Sequence, residues 1–276
     1  MAIYVRNGAV WSLAKEVYVN NGGTWVEPQE VYVRDAVGWK LLHKTITIAA
    51  DTNNVNLFTL AGSPTTPIRL KVTIATGVII GSSSVASPSF TIAGFPAATE
   101  ILIINNGSIL GAGGTGAAGA NWGGAVNSAT AGGTALSVSS AVRIQNNGTV
   151  AGGGGGGGAG GYGNFSQTSG KTTTTYQSAG SGGGGGAGRV GGAGGAGGTG
   201  GNYAGNTGGA GTATAGGNGA FSTGTGLSGG NGGALGVAGT AGTGTSSGAG
   251  AVAGSYAVGN ANITWEVVGT RLGSVS

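Results

Sequence analysis

The chain has no cysteine, one histidine and five prolines in 276 residues, and only 7% of its residues are charged. Without cysteine, disulfides and thiolate metal ligands are excluded, and the redox compartment stays open. All five prolines (Pro28, Pro64, Pro67, Pro88 and Pro96) precede the glycine-rich half. Collagen needs imino acids within its glycine repeat, so the 68 glycines do not indicate a collagen chain. No apolar run approaches the ~20 residues of a membrane span, and no basic start followed by an apolar stretch marks a secretory signal. Neither membrane insertion nor a leader is expected. Acids are absent between Glu100 and Glu266, where Arg143, Lys171 and Arg189 are the only charges. Seven of the eleven basic residues lie in the first 71, but five acids accompany them, so that stretch carries only half of the net charge of +4. Nucleic-acid binders carry a dense basic stripe, which this chain lacks. Ordinary disorder is charged and weakly hydrophobic, and it fits poorly with a positive mean hydropathy.

Catalytic chemistry has little to draw on. A Ser-His-Asp arrangement would have to use His43, which sits beside an aromatic repeat and reads as an edge residue. A carboxylate pair could come only from Glu16, Glu27, Glu30, Asp35, Asp51, Glu100 and Glu266, none within the glycine-rich half. Gly170-Lys171-Thr172 imitates the end of a phosphate loop, but Phe165 occupies the position of its first glycine. No enzyme activity, metal or cofactor is expected.

What the chain does have is a glycine register of period three. It runs through Gly182, Gly185, Gly188, Gly191, Gly194, Gly197 and Gly200, with Ala193, Ala196 and Thr199 at the third position. A second register follows at Gly230, Gly233, Gly236, Gly239 and Gly242. Three residues per turn is neither α-helix nor strand but polyproline II, whose backbone groups find no partners within their own helix. Two glycine faces per rod let neighbouring backbones approach and bond, while the third position points outward. The competing reading is a flexible glycine-rich linker.

Residues 1–43 hold a 14-residue repeat: Tyr4 and Trp11, Tyr18 and Trp25, Tyr32 and Trp39 recur at that interval. Asn7-Gly8 and Asn21-Gly22 predict type I′ hairpin turns. One such hairpin cannot bury its own aromatic face, so the repeats form either a cap on the fold or a docking module for a larger assembly. Residues 44–150 carry β-branched runs of period two, such as 68–74 and 100–104, and predict a β-sandwich or β-solenoid platform. Within it, 101–111 repeats at 142–152 with an Asn-Asn-Gly corner in both copies, in the manner of a solenoid rung. Residues 151–259 are the glycine-rich bundle, and 260–276 return to strand character. Non-glycine segments interrupt the bundle at 162–178, Asn202-Tyr203 and Phe221-Ser222-Thr223, and Asn121-Trp122 is a similar segment earlier in the chain. Each aromatic there either tucks back to cap a rod end or belongs to a binding loop.

With these features in place, the chain resembles phage tail-fibre tip adhesins, over roughly residues 101–259 and through runs such as 152–158 and 182–186. The resemblance implies a polyglycine II sandwich with receptor-binding loops at its distal end. It further implies a virion protein at the tail or tail-fibre tip. Residues 1–43 depart from the attachment domain of the T-even adhesins. The expected fold is thus all-β plus a polyglycine II bundle, with hairpin repeats for attachment to other phage tail proteins. The expected function is non-enzymatic binding of a bacterial surface receptor, protein or polysaccharide. Tyr162, Phe165, Tyr176, Tyr203, Phe221 and Trp122 are the candidate contacts, and Tyr4, Trp11, Tyr18, Trp25, Tyr32 and Trp39 the candidate attachment residues. The working unit is a monomer or a homotrimer. The alternatives are a rigid structural spacer and, from the small Ala/Thr faces, an ice-binding protein.

Overall fold

The computed structural model describes residues 4–7, 10–13, 18–34, 38–222 and 227–276, which are nearly all β or extended. Gly8, Val17, Asp35 and Thr223 of the expected motifs, and the side chains of Tyr4 and Trp11, lie outside what is described.

The first strands form antiparallel hairpins. β1 (Tyr4–Asn7) pairs with β2 (Val10–Leu13), and β3 (Val19–Asn21) with β4 (Thr24–Val26). At the second turn the central residues are Gly22 (φ 62°) and Gly23 (φ 91°), one place later than the expected Asn21-Gly22. Both positions of a type I′ turn need positive φ, and Asn20 Oδ1 accepts the Gly23 N–H at 2.8 Å, fixing the later register. β5 (Glu30–Arg34) pairs antiparallel with β6 (Trp39–Ile48), which crosses the expected boundary at residue 43 without a break.

From β6 the chain winds in parallel coils. The first is β6, β7 (Thr52–Asn53) and β8 (Val55–Asn56), followed by the single-turn helix α1 (Leu57–Leu60). The second is β9 (Arg69–Ile74), β10 (Ile79–Gly81) and β11 (Phe90–Ile92); the third is β12 (Glu100–Asn105), β13 (Ser108–Leu110) and β14 (Leu136–Val138). The fourth starts with β15 (Val142–Asn146) and β16 (Thr149–Ala151). It is interrupted by a long excursion carrying the hairpin β17 (Gly163–Ser169) and β18 (Thr172–Ser178), and resumes at β19 (Ser255–Val258). β20 (Ile263–Val267), β21 (Thr270–Leu272) and β22 (Ser274–Val275) make the fifth. Like strands stack into three sheets, ordered β20-β15-β12-β9-β6-β5, β21-β16-β13-β10-β7 and β22-β19-β14-β11-β8. This is a three-sided β-solenoid.

Alternation dictates its core. Along β9 and β12 every second residue is buried, and the stacking places Val72, Ile103 and Ile144 directly above one another. Ile80, Ile109 and Val150 do the same on the second sheet, and Phe90 and Leu136 on the third. Each is essentially inaccessible, so each contributes about 1.5–3 kcal/mol of apolar burial. At the first corner, inward-pointing Asn105 donates from Nδ2 to Asn146 Oδ1 (2.7 Å), and Asn146 donates to the carbonyls of Val268 (2.9 Å) and Thr270 (3.2 Å). Buried amides satisfied across coils in this way lock the vertical register. At the C-terminal end, Tyr256 and Trp265 pack on the core, and the Arg271 guanidinium lies 5.4 and 4.9 Å from their ring centroids.

The excursions contain extended glycine-rich segments that belong to no sheet. They are joined by backbone hydrogen bonds at every third residue: Gly114, Ala117 and Ala120 donate to Gly154, Gly157 and Gly160, while Gly113, Gly116 and Gly119 donate to Val190, Ala193 and Ala196. Two segments, 152–161 and 179–188, are buried throughout. The first bonds to six neighbours: 113–120, 130–133, 179–188, 229–234, 236–243 and 248–254. The second is likewise enclosed, by 113–120, 152–161, 191–199, 204–212, 215–220 and 229–234. Their near-unbroken glycine runs follow from this, because a Cβ at Gly157 would lie 2.0 Å from Gly230 O and one at Gly184 1.9 Å from Gly217 O. Peripheral segments need fewer glycines. In 191–199 the residues Ala193, Ala196 and Thr199 are exposed, while Gly192, Gly195 and Gly198 are buried.

Candidate functional site

Successive glycine-rich segments alternate in direction, as their bonding order shows. Gly180, Gly183 and Gly186 donate to Ala120, Ala117 and Gly114, an antiparallel sequence. Short turns at 189–190, 213–214 and 235–236 therefore lie beside the solenoid, where Arg189 reaches Asp51 at 3.0 Å. The longer connections at 121–129, 162–178, 200–203 and 244–247, together with Phe221 and Ser222, gather at the far end. Four of the expected non-glycine segments are thus brought to one rim.

The rim is held by amides and main-chain bridges. Asn121 Oδ1 accepts the N–H (2.7 Å) and hydroxyl (3.1 Å) of Thr199, tying the first loop to the third. Asn202 Oδ1 accepts Gln177 N–H (2.8 Å), while Asn202 and Tyr203 both donate to Gln177 O. Asn206 Nδ2 donates to Phe221 O (2.6 Å), and Tyr162 bridges to Thr245. Because each loop is braced by another, its side chains are preorganised on a rigid base.

On this frame Phe165, Tyr176 and Tyr203 form one cluster, with ring centroids 5.1 Å (Phe165–Tyr176, stacked), 5.6 Å (Phe165–Tyr203) and 5.8 Å (Tyr176–Tyr203) apart. Trp122 and Tyr162 form a second, edge to face at 5.2 Å. Such spacings are those of favourable aromatic pairs, which hold the rings in fixed orientations. Phe221 stands apart and is 76% exposed. The six expected contact residues therefore fall into a trio, a pair and a lone exposed ring. The bracing residues Asn121, Gln177, Asn202 and Asn206 were not among them. Their only mark in the sequence is that each flanks or closely follows an aromatic loop residue. Lys171, at the tip of the β17–β18 turn, is the one charged side chain among the described loop residues of this rim.

At the other end of the sequence, Tyr18, Trp25, Tyr32 and Trp39 are all exposed, the two tryptophans by 67% and 69%. His43 is half-buried beside Thr45 Oγ1 (3.0 Å) and Glu27 Oε1 (3.4 Å), while Glu27 Oε2 binds Lys71 Nζ at 2.7 Å. Burial lowers the His43 pKa and outweighs the opposing Glu27 charge. Hydrogen bonds from Gln145 and then Arg143 hold the exposed Glu266 below the ordinary carboxylate value. Among the described residues no group of three or more His, Asp or Glu is placed to hold a metal.

A solenoid that carries a close-packed bundle with loops collected at one end defines an all-β loop-presenting protein. Residues 43–276 match the family of the phage tail fibre adhesin Gp38, and the chain belongs to that family. It is accordingly a phage tail-fibre adhesin of the virion, and the family implies a non-enzymatic role in host recognition. The structure is similar to the crystal structure of the gp37-gp38 adhesin tip complex of the bacteriophage S16 long tail fiber. That match has a TM-score of 0.54 and 24% identity, over 87% of this chain and 84% of that one. No curated protein sequence matches the chain.

Proposed function

We propose that the aromatic rim binds a receptor on the bacterial surface, and that the N-terminal hairpins attach the adhesin to another tail-fibre protein at the fibre tip. The observation that carries this reading is the convergence of Phe165, Tyr176, Tyr203, Trp122, Tyr162 and Phe221 on one end of a rigid bundle. Aromatic anchors surrounded by polar loops, with almost no charge, supply apolar contact at low entropic cost. The glycine-rich segments act as polyglycine II rods. Their three-residue bonding period supports this, and ten residues at ~3.1 Å each hold the rim about 30 Å from the solenoid.

The working division is 1–43 for attachment, the solenoid strands of 44–151 and 255–275 for the platform, and the glycine-rich segments of 111–134 and 152–254 for the loop-bearing bundle. Tyr4, Trp11, Tyr18, Trp25, Tyr32 and Trp39 make up the attachment surface, which the exposed rings of the second and third hairpins support. Three tandem copies of one aromatic hairpin offer three similar contacts, an arrangement suited to a partner with repeated subunits. The solved S16 relative is a gp37-gp38 complex, and by analogy the partner here is a fibre protein.

The test is binding of purified protein to intact host cells, beside a variant in which a short Gly-Ser loop replaces residues 162–178. Wild-type binding with loss in the folded variant supports the reading. Binding by neither protein to cells the parent phage infects would instead favour a structural spacer.

A further inference from the structure

The hairpin β17–β18 differs from the other rim loops in being a regular ribbon with seven paired positions and no bulge. Its turn is Gly170-Lys171, with Gly170 at φ 63° and Lys171 outside the positive-φ residues, which fits type II′. A two-residue turn makes Ser169 and Thr172 a hydrogen-bonded pair, and such pairs alternate along an antiparallel ladder. Gln167–Thr174, Phe165–Tyr176 and Gly163–Ser178 are therefore bonded pairs as well. The N–H and C=O groups of Asn164, Ser166 and Thr168 point out of the ribbon on one edge, and those of Thr173, Thr175 and Gln177 on the other. Gln177 confirms the phase, because its N–H and C=O engage Asn202 and Tyr203 outside the ribbon.

Each edge is covered at its root, and the β17 edge keeps three outward positions beyond it against two, Thr173 and Thr175, on the β18 edge. The segment Asn202-Tyr203 covers the root of the β18 edge. The β17 edge is bordered only at Tyr162, which bridges to Thr245 in antiparallel sense. Beyond that point, among the described residues, nothing pairs with the outward main-chain groups of Asn164, Ser166 and Thr168. Proteins protect such edges with proline, bulges, inward charges or very short strands. This edge has none of these over seven residues, and its side chains are Asn, Phe, Ser, Gln and Thr.

We propose that the free β17 edge pairs with an extended polypeptide segment of a host surface protein, adding a third strand to the ribbon. The inference rests on the rim being the receptor-binding end, and what it adds is the mode of recognition. A row of alternating N–H and C=O groups at strand spacing complements another backbone, whereas a sugar offers no matching repeat. The incoming strand continues the row that Thr245 begins, and its alternate side chains meet the cluster of Phe165, Tyr176 and Tyr203 on one face. Main-chain pairing supplies the affinity, and the aromatic cluster selects the side chains.

The experiment compares full-length wild type, Ser166→Pro, Ser166→Ala and the 162–178 loop replacement for binding to host cells. Proline at an outward position removes the donor that a third strand needs while leaving the ribbon's own bonded pairs intact. Thermal melts establish that each variant is folded. The expected result is at least a tenfold loss for Ser166→Pro and less than threefold for Ser166→Ala, with binding abolished by proteinase treatment of the cells. Wild-type binding by Ser166→Pro, or equal losses in both Ser166 variants, would overturn edge pairing while the loop replacement still tests the rim itself. Binding that survives proteinase but not periodate would assign a glycan and overturn the proposal. Should Ser166→Pro fail to fold, hydrogen exchange on the wild type decides. Protection of the Asn164, Ser166 and Thr168 amides on adding host outer-membrane fragments is expected, and unchanged exchange refutes the proposal.

Discussion

Replacing Gly184 by alanine tests the packing of the bundle most directly. The residue lies in the enclosed segment 179–188 and has an ordinary negative-φ backbone, so alanine there restricts the unfolded chain and would by itself stabilise by about 0.4–1 kcal/mol. Against this, the new Cβ would lie 1.9 Å from Gly217 O and 2.5 Å from Gly217 C, where at least 3.0 Å is needed. The segment 215–220 must retreat by over 1 Å, yet it is held by Gly217 N–H to Gly185 O (2.7 Å) and by Gly232 N–H to Gly217 O (2.9 Å). Overpacking costs about 1–3 kcal/mol, and each hydrogen bond weakened adds about 0.5–1.5 kcal/mol. The clash wins, with a net destabilisation of about 2–4 kcal/mol. At about 2–4 °C per kcal/mol for a chain of this size, the melting temperature should fall by about 5–15 °C. Ala193→Ser, on the exposed face of segment 191–199, should change stability by less than about 0.5 kcal/mol. Both are read by differential scanning calorimetry. A Gly184→Ala variant melting with wild type would refute the enclosed arrangement.

The corner ladder makes a second prediction: Asn146→Ala leaves the buried Asn105 amide only its long 3.4 Å contact to Thr149 O and takes the amide donor from two carbonyls, so it should cost about 2–4 kcal/mol, whereas Asn147→Ala, in the exposed outer pair with Asn106, should cost under about 1 kcal/mol by chemical denaturation. Arg271→Ala removes the cation over Tyr256 and Trp265 and should lower stability by about 1–2 kcal/mol, with Arg271→Lys recovering part of it. His43 has a folded pKa below its ordinary value of 6.5, so its contribution is complete above that pH and is lost as pH falls through the folded value. Melting temperature should therefore decline on acidification below 6.5, and His43→Gln should flatten that part of the profile. Trp25→Ala, at an exposed site, should leave the melting temperature within about 1–2 °C of wild type while reducing capture by the fibre partner, measured with isolated fibres lacking the adhesin.

The alternation of 68–74 and the 41-residue offset between the two Asn-Asn-Gly corners come from local pattern, and they reappear as stacked strands with Asn105 over Asn146. The outward Ala193, Ala196 and Thr199 were legible for the same reason, since a period of three assigns faces without knowledge of any neighbour. Which segments pair could not be read, because glycine runs of one register are interchangeable and carry no side chain to tell one partner from another. Only the assembled bundle enclosed 152–161 and 179–188 completely, and only the alternation of direction brought Phe165 and Tyr203 within 5.6 Å. Likewise, Ile263–Val267 read as a strand from composition, but its place as the first strand of a fifth coil depends on the edge that β15 leaves open. Periodicity along one chain determines conformation and facing. Partner choice is a contest among segments, and here it is decided by lengths, directions and the space each glycine leaves.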